Sequence, residues 1–145
     1  MKGSEMLHII RDLNDPYLDL VKDDPVRPSI PTAARVHDHA EIFVLLENQE
    51  PTAVTCVAYL NQIPKTESEL GSVGLRVAAF YTIWSYRAGA GRELIQQAQT
   101  YIKDNVEGIE RYVTLSPKTE TARRFHLRNG ARVLQDNDES VNYEY

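Results

Sequence analysis

The amino-acid sequence predicts an α/β (α+β) domain with a single mixed, mostly antiparallel central sheet and helices on both faces. The chain has 145 residues, a length that favours one core, so residues 1–145 are expected to form a single domain. Strand-like apolar runs come first along the chain, and strand-like and helix-like segments then alternate. This order predicts one sheet that is covered by helices.

The composition is that of an ordinary globular protein, with 42% hydrophobic and 26% charged residues. Sixteen basic residues against twenty-one acidic ones give a formal net charge of −5, which argues against a broad nucleic-acid-binding face. The single cysteine, Cys56, cannot form an intrachain disulfide. No apolar run has the length of a signal-peptide core or a membrane span. We therefore expect a cytoplasmic protein with no nucleic-acid partner and no membrane partner.

The N-terminal half predicts short elements followed by a β-hairpin. Three prolines between residues 24 and 31 interrupt regular structure. Two apolar, β-branched runs flank the turn-rich stretch "ENQEP", a pattern typical of an antiparallel hairpin. In order, the predicted elements are a strand at 6–10, a helix at 16–21, a short helix within 32–39, and hairpin strands at 41–46 and 53–60.

The C-terminal half begins with a long strand-like run at 73–84, followed by an amphipathic helix at about 91–105. A strand is predicted at 111–116, and Ser116 and Pro117 have the residue types of an N-cap and first position for a second helix, which Gly130 would close. The tail at 132–145 predicts two strands around an Asp-Asn-Asp turn. The apolar stripe of the first helix has a period of 3.6 residues and consists of Leu94, Ile95, Ala98, Tyr101 and Ile102.

Four small residues, Ala88, Gly89, Ala90 and Gly91, precede this amphipathic helix. The first amides of a helix lack intrahelical partners, so small residues there let a phosphate reach them. The flanking Arg87 and Arg92 would add positive charge. A tight strand-to-helix turn explains the two glycines equally well. The residues that follow the loop do not match a P-loop or a dinucleotide-binding fingerprint.

The stretch "YRAGAG" resembles the pyrophosphate loop of the GNAT family of acyl-CoA-dependent N-acyltransferases, which reads Arg or Gln, two residues, Gly, one residue, and Gly or Ala. Gly89 and Gly91 occupy the two glycine positions, whereas Tyr86 stands where the family has Arg or Gln. The stretch "TETARRFHLRNGA" resembles a second family segment, with Thr119 in place of Asn, His126 in place of Tyr and Ala131 in place of Phe. The resemblance covers roughly residues 77–131.

The resemblance implies an N-acetyltransferase that moves an acetyl group from acetyl-CoA to a primary amine of a small molecule or protein, by direct attack in a ternary complex. It also implies a sheet splayed into a V, with the pantetheine arm paired to the strand around residues 81–83. The alternative is a CoA-binding domain with lost or altered catalysis and a regulatory or interaction role. The chain could also assemble as a homodimer. The cofactor-binding residues implied are Tyr81, Thr82, Ile83, Tyr86, Arg87, Ala88, Gly89, Ala90, Gly91, Arg92 and Thr119.

Two residues are candidate catalytic groups. His126 stands where the family often has a Tyr that protonates the departing thiolate, and an unperturbed pKa near ~6.5 would let imidazolium or imidazole serve near neutral pH. Glu41, at a predicted strand start, is a candidate base facing the amine. A hydrogen-bonded packing histidine and an exposed carboxylate are the alternatives. Thr119 has the alternative of a helix-capping hydroxyl.

The remaining polar clusters predict no further site. The run His37-Asp38-His39 has spacing that is a weak metal signal, and we expect no metal. Cys56 lies among apolar residues and is expected to be an inert core thiol. The sequence does not identify the amine acceptor.

Overall fold

The computed structural model describes residues 4–145, which form one seven-stranded sheet with the strand order β1-β2-β3-β4-β5-β7-β6. The strands are β1 (Glu5–Ile10), β2 (Ala40–Glu47), β3 (Glu50–Leu60), β4 (Val77–Ser85), β5 (Arg111–Thr114), β6 (Arg132–Asp136) and β7 (Val141–Glu144). The α-helices are α1 (Thr32–Arg35), α2 (Ala90–Asn105) and α3 (Glu120–Arg128), and two 3-10 helices span Pro16–Asp23 and Glu67–Gly71.

The sheet is mixed and mostly antiparallel, which confirms the predicted fold class. Neighbouring strands pair antiparallel except β4 and β5, which are parallel and connected through α2. No helix within residues 4–145 is both long enough and apolar enough to cross a lipid bilayer.

The predicted hairpin forms with longer strands than expected, because β2 and β3 continue to a two-residue turn. Asn48 and Gln49 have φ values of 52° and 70°, the left-handed conformation that tight hairpin turns require. The central strands β3 and β4 are buried along most of their length. The strand-type residues of this half therefore form the middle of the sheet.

Apolar cores lie on both faces of the sheet. On one face, α2 buries its predicted stripe through Leu94, Ile95, Ala98 and Ile102. On the other face, the 3-10 helix Pro16–Asp23 packs partly buried apolar side chains against the sheet. Burying these apolar side chains stabilises the two helices more than their intrinsic helix propensity does.

The structure corrects two helix predictions. The segment predicted as a helix at 16–21 is a 3-10 helix, with Asp15 accepting a hydrogen bond from the Tyr17 amide at 2.8 Å. The helix predicted to start at Pro117 starts later, at Glu120, because Ser116 exchanges backbone hydrogen bonds of 2.9 Å with Val141 and so continues the sheet. Thr119 is the N-cap of α3, and Gly130 ends it at φ 97°, as predicted.

The sheet opens between β4 and β5. The two strands pair only over four residues each, from Val77 opposite Arg111 to Phe80 opposite Thr114, while β4 continues to Ser85. A bulge at the same level leaves Tyr81 without a register partner on β3, since Val57 pairs with Phe80 and Cys56 pairs with Thr82. The opening places the free edge of β4 beside the starts of α2 and α3.

Candidate functional site

A cavity of about 300 Å³ lies in the opening between β4 and β5. Its walls come from the outer half of β4, the start of α2, one face of α3 and the segments 25–26 and 115–117. Predicted site residues that line it are Tyr81, Thr82, Ile83, Gly91, Thr119 and His126. Two motif-like segments that are far apart in the sequence thus meet in one cavity.

The small-residue loop forms the start of α2, where two glycines have structural reasons to be present. Gly89 is the N-cap with φ 82°, a left-handed conformation that favours glycine. A Cβ at Gly91 would lie 3.1 Å from Cε1 of Phe125, so only glycine fits without displacing that ring. The loop is therefore both a tight turn and the wall of the cavity next to α3.

The amides at this helix start are partly available. The Ala90 amide donates to the Arg87 carbonyl at 3.2 Å, whereas the Gly91 and Arg92 amides have no protein acceptor within residues 4–145. Free amides and the helix dipole together favour an anion at such a position. The loop can therefore receive a phosphate group at Gly91 and Arg92.

The two flanking arginines differ in availability. The Arg87 guanidinium lies 3.3 Å from Glu47 and 3.2 Å from Glu93, so carboxylates of the protein already balance its charge. Arg92, in the first turn of α2, is exposed. Arg92 is therefore the better placed of the two to pair with an anion.

Tyr86, at the position where the resembled motif has Arg or Gln, lies outside the cavity lining and is 45% exposed. Its hydroxyl donates to Asp23 at 2.8 Å and accepts from the Trp84 indole at 2.9 Å. Its amide donates to the Thr52 carbonyl at 2.8 Å. The side chain thus ties the end of β4 to the 3-10 helix Pro16–Asp23.

His126 is buried, with 3% of its surface exposed, in the last turn of α3. Its Nε2 lies 3.2 Å from the Ser116 hydroxyl and its Nδ1 lies 2.6 Å from the Tyr145 hydroxyl. The ring stacks on Tyr143 with a centroid distance of 4.9 Å. Burial lowers the pKa of His126 to about 4, because the charged form loses its hydration. The imidazole is therefore neutral at neutral pH, so the structure favours imidazole of the two forms, imidazolium and imidazole, that the sequence left open.

Sequence reasoning missed two residues of this arrangement. Ser116 was predicted as a helix cap, but it lines the cavity and donates its hydroxyl to Thr114 Oγ1 at 2.7 Å. Tyr145 is predicted only as part of the strand-forming tail at 132–145. Its spacing of two residues from Tyr143 was the one available signal, because residues two apart in a strand lie on the same face of the sheet.

Glu41 lies outside the lining of the cavity. Its carboxylate accepts a hydrogen bond of 2.5 Å from the Tyr59 hydroxyl and lies 3.3 Å from Nε of Arg11. The structure therefore does not bring Glu41 together with His126. Thr119 does line the cavity, and its hydroxyl accepts from the Ala122 amide at 3.2 Å as the cap of α3.

The remaining candidates stay outside the cavity. Cys56 is fully buried, and burial raises the pKa of its thiol to about 11, in agreement with the predicted inert core thiol. The His37 ring accepts a hydrogen bond from the His39 amide at 3.1 Å. Among residues 4–145, no three His, Cys, Asp or Glu side chains are grouped to hold a metal ion.

Comparison with known proteins identifies similarity in structure only. No protein-family model matches the chain, and no curated protein is similar to it in sequence. A malonyl-CoA decarboxylase from Agrobacterium vitis matches with a TM-score of 0.81 and 17% identity, over 97% of this chain and 60% of that one. The chain thus spans about three fifths of that structure's length.

Two acetyltransferase structures match over nearly their whole length. The N-acetyltransferase PseH from Campylobacter jejuni has a TM-score of 0.67 and 9% identity, over 97% of this chain and 96% of that one. The GNAT domain of S. lividans PAT has a TM-score of 0.67 and 12% identity, over 99% of this chain and 90% of that one. At these identities the likeness establishes the fold. The chain therefore has the fold of the GNAT acetyltransferases, as the two resembling segments predicted.

Proposed function

We propose that the chain is an acetyl-CoA-dependent N-acetyltransferase that acts on a primary amine by direct attack in a ternary complex. One observation carries the proposal: the opening between β4 and β5 leads into a cavity whose wall includes Gly91, where a free amide lies at the start of α2. Acetyl-CoA has the matching layout, an anionic diphosphate joined through an extended amide-containing arm to a thioester.

The residues of the cavity fit such a ligand in two places. The free amides of Gly91 and Arg92, together with the exposed Arg92 guanidinium, would hold the diphosphate. Glycine at position 91 lets Phe125 pack against this helix start, since a Cβ there would lie 3.1 Å from that ring. Arg27 already donates to the Tyr81 carbonyl, so the remaining edge groups of β4 at residues 81–83 would hold the pantetheine arm, because an extended amide chain can add to a sheet edge.

The chemistry needs a neutral amine, a polarised thioester carbonyl and a proton for sulfur. The amine nitrogen forms a bond to the acyl carbon, the carbon–sulfur bond breaks, the nitrogen loses a proton and sulfur gains one. In this proposal sulfur takes its proton from the hydrogen-bonded pair of neutral His126 and Ser116, two polar side chains that line the cavity together. Glu41 has no role in this proposal, because its carboxylate is engaged by Tyr59 and Arg11.

Calorimetric titration with acetyl-CoA tests the proposal, with Arg92→Glu as the variant and Lys103→Glu as the control. Both are exposed residues of α2, but Arg92 is at its start and Lys103 is in its last turn. We expect Arg92→Glu to weaken binding by about 10-fold to 100-fold, the range of a lost charge-assisted contact, and Lys103→Glu to have little effect. A wild-type protein that ignores millimolar acetyl-CoA would exclude the proposed function.

Turnover separates acetyl transfer from two other functions of the same cavity. Acetyl transfer releases free thiol from acetyl-CoA only when an amine is present. The TM-score of 0.81 to a malonyl-CoA decarboxylase favours decarboxylation as the second candidate, which would convert malonyl-CoA to acetyl-CoA and carbon dioxide without releasing thiol. Binding with neither reaction would identify a CoA-binding domain without catalysis.

A further inference from the structure

The last residue of the chain, Tyr145, lies against His126. Its amide donates to the Tyr112 carbonyl at 3.0 Å, which fixes the backbone next to β5. Its hydroxyl lies 2.6 Å from Nδ1 of His126, and 3.2 Å separates Nε2 from the Ser116 hydroxyl on the opposite side of the ring. Both ring nitrogens of the buried neutral imidazole thus have a hydrogen-bond partner. A neutral imidazole carries one proton, so one nitrogen donates a hydrogen bond and the other accepts one.

The hydroxyl groups around the ring decide which nitrogen carries the proton. Ser116 donates its hydroxyl hydrogen to Thr114 Oγ1 at 2.7 Å, so Ser116 Oγ is left as an acceptor toward His126. Nε2 must then be protonated, because an unprotonated Nε2 would place its lone pair against that of the oxygen. Nδ1 is then unprotonated and accepts the Tyr145 hydroxyl hydrogen. The opposite tautomer would lose either the Ser116–His126 hydrogen bond or the one that Ser116 donates to Thr114, and it would leave the Tyr145 hydroxyl hydrogen without His126 as its acceptor.

We propose that Tyr145 is a positioning residue, which holds His126 in the Nε2–H form so that the imidazole offers the Ser116 side of the cavity a donor and not a base. The neighbouring groups are consistent with a neutral ring, since Tyr143 stacks on its face and Phe125 contacts its edge. For catalysis the proposal rests on the proposed acetyl transfer. There it means that the His126 Nε2–H donates toward Ser116, and that His126 does not deprotonate the amine.

Long-range 1H–15N correlation spectra of protein labelled with 15N-histidine test the tautomer directly. The chain has four histidines, and the signals of His126 are assigned by their loss in His126→Gln. We expect Nε2 protonated and Nδ1 unprotonated in the wild type at pH 7. Tyr145→Phe keeps the ring and removes the hydroxyl, so a fraction with Nδ1 protonated should appear. A wild-type spectrum with Nδ1 protonated, or an unchanged tautomer in Tyr145→Phe, overturns the proposal.

Steady-state kinetics test the catalytic part. Tyr145→Phe should lower kcat about tenfold, the scale of one lost hydrogen bond, and leave KM for acetyl-CoA unchanged. The control Tyr112→Phe removes a hydroxyl from a neighbouring tyrosine of β5 and should change neither kcat nor the His126 tautomer. A changed tautomer with unchanged kcat overturns the catalytic part. If the wild type transfers no acetyl group, the proposed function fails while the spectra still decide the role of Tyr145.

A second variant covers the case in which Tyr145→Phe does not fold. Ser116→Ala removes the acceptor of the Nε2 proton and leaves the Tyr145 hydroxyl in place. If Tyr145 decides the tautomer, His126 should remain in the Nε2–H form in this variant, with a changed Nε2 proton shift. A switch to the Nδ1–H form in Ser116→Ala would overturn the proposal.

Discussion

His126 lies in a buried environment that its local sequence does not reveal. Its pKa falls from an ordinary value of 6.5 to about 4 because the ring is buried. Between these pH values the unfolded chain binds a proton that the folded chain does not. The free energy of unfolding therefore decreases as the pH falls from about 6.5 towards about 4, and the contribution of His126 is complete only above that range.

The pH dependence of unfolding should report this burial. We expect the wild type to lose about 2 kcal/mol more than His126→Gln between pH 7 and pH 4.5, from the shift in the His126 pKa. Urea unfolding of both proteins at the two pH values measures the difference. Carboxyl groups with lowered pKa values, such as Glu144, also destabilise the fold in acid, but they do so equally in both proteins. Parallel pH curves would show that folding does not lower the pKa of His126.

At the scale of elements, a buried ion pair joins the irregular N-terminal segment to the sheet. Asp24 accepts hydrogen bonds from the Val26 and Arg27 amides at 2.8 and 3.0 Å and from the Thr82 hydroxyl at 2.7 Å. Its other oxygen lies 2.8 Å from Arg35, and both side chains are at most 1% exposed. Burial raises the pKa of the Asp24 carboxyl, but these hydrogen bonds outweigh that effect and hold the pKa below its ordinary value.

Breaking the buried Asp24–Arg35 ion pair should lower the free energy of unfolding far more than breaking an exposed ion pair. Asp24→Asn would leave the Arg35 guanidinium buried without a counter-charge, with an expected loss of about 3–5 kcal/mol in the free energy of unfolding. Asp19→Asn is the matched control, because Asp19 forms an exposed pair with Lys22 at 2.7 Å. That change should cost less than about 1 kcal/mol. Equal losses in urea unfolding would contradict a structural role for the buried pair.

Elements encoded by local patterns could be predicted from the sequence, and those set by distant contacts could not. The stripe of α2 follows from a period of 3.6 residues, and the β2–β3 hairpin follows from β-branched runs around a turn. The start of α3 was predicted too early because Ser116 pairs with Val141, a contact that local residue types do not reveal. The type of the Pro16–Asp23 helix was missed although its capping residue Asp15 was present.

The candidate site shows the same difference between features that local residue types encode and features that distant contacts set. The glycine positions of the loop were visible because a left-handed residue and a close approach require glycine locally. The partners of His126 were not visible, because Ser116 and Tyr145 reach it only through the pairing of strands and helices in the folded chain. The placement of Glu41 against Tyr59 likewise depends on the register of β2 on β3.

At the scale of the whole molecule, Arg27 spans the opening in the sheet. Its Nε donates to the Tyr81 carbonyl at 2.9 Å and its Nη2 donates to the Leu115 carbonyl at 2.8 Å. One carbonyl belongs to β4 and the other follows β5, so a single guanidinium bridges the two diverging sides. These carbonyls would otherwise lack donors inside a partly buried opening, which is costly. The width of the cavity therefore depends on a side chain from the N-terminal segment.

Replacing Arg27 should loosen both sides of the opening at once. Arg27→Lys keeps the charge, but an ammonium lacks the planar fork that reaches two carbonyls, so one of them should lose its donor. We expect amide hydrogen exchange in residues 81–85 and 115–116 to quicken about tenfold and acetyl-CoA binding to weaken. Glu67→Gln is the control, because Glu67 contacts Arg27 at 3.1 Å from the exposed side without touching either strand carbonyl. Unchanged exchange in Arg27→Lys would mean that the surrounding packing, and not the guanidinium, sets the separation of β4 and β5.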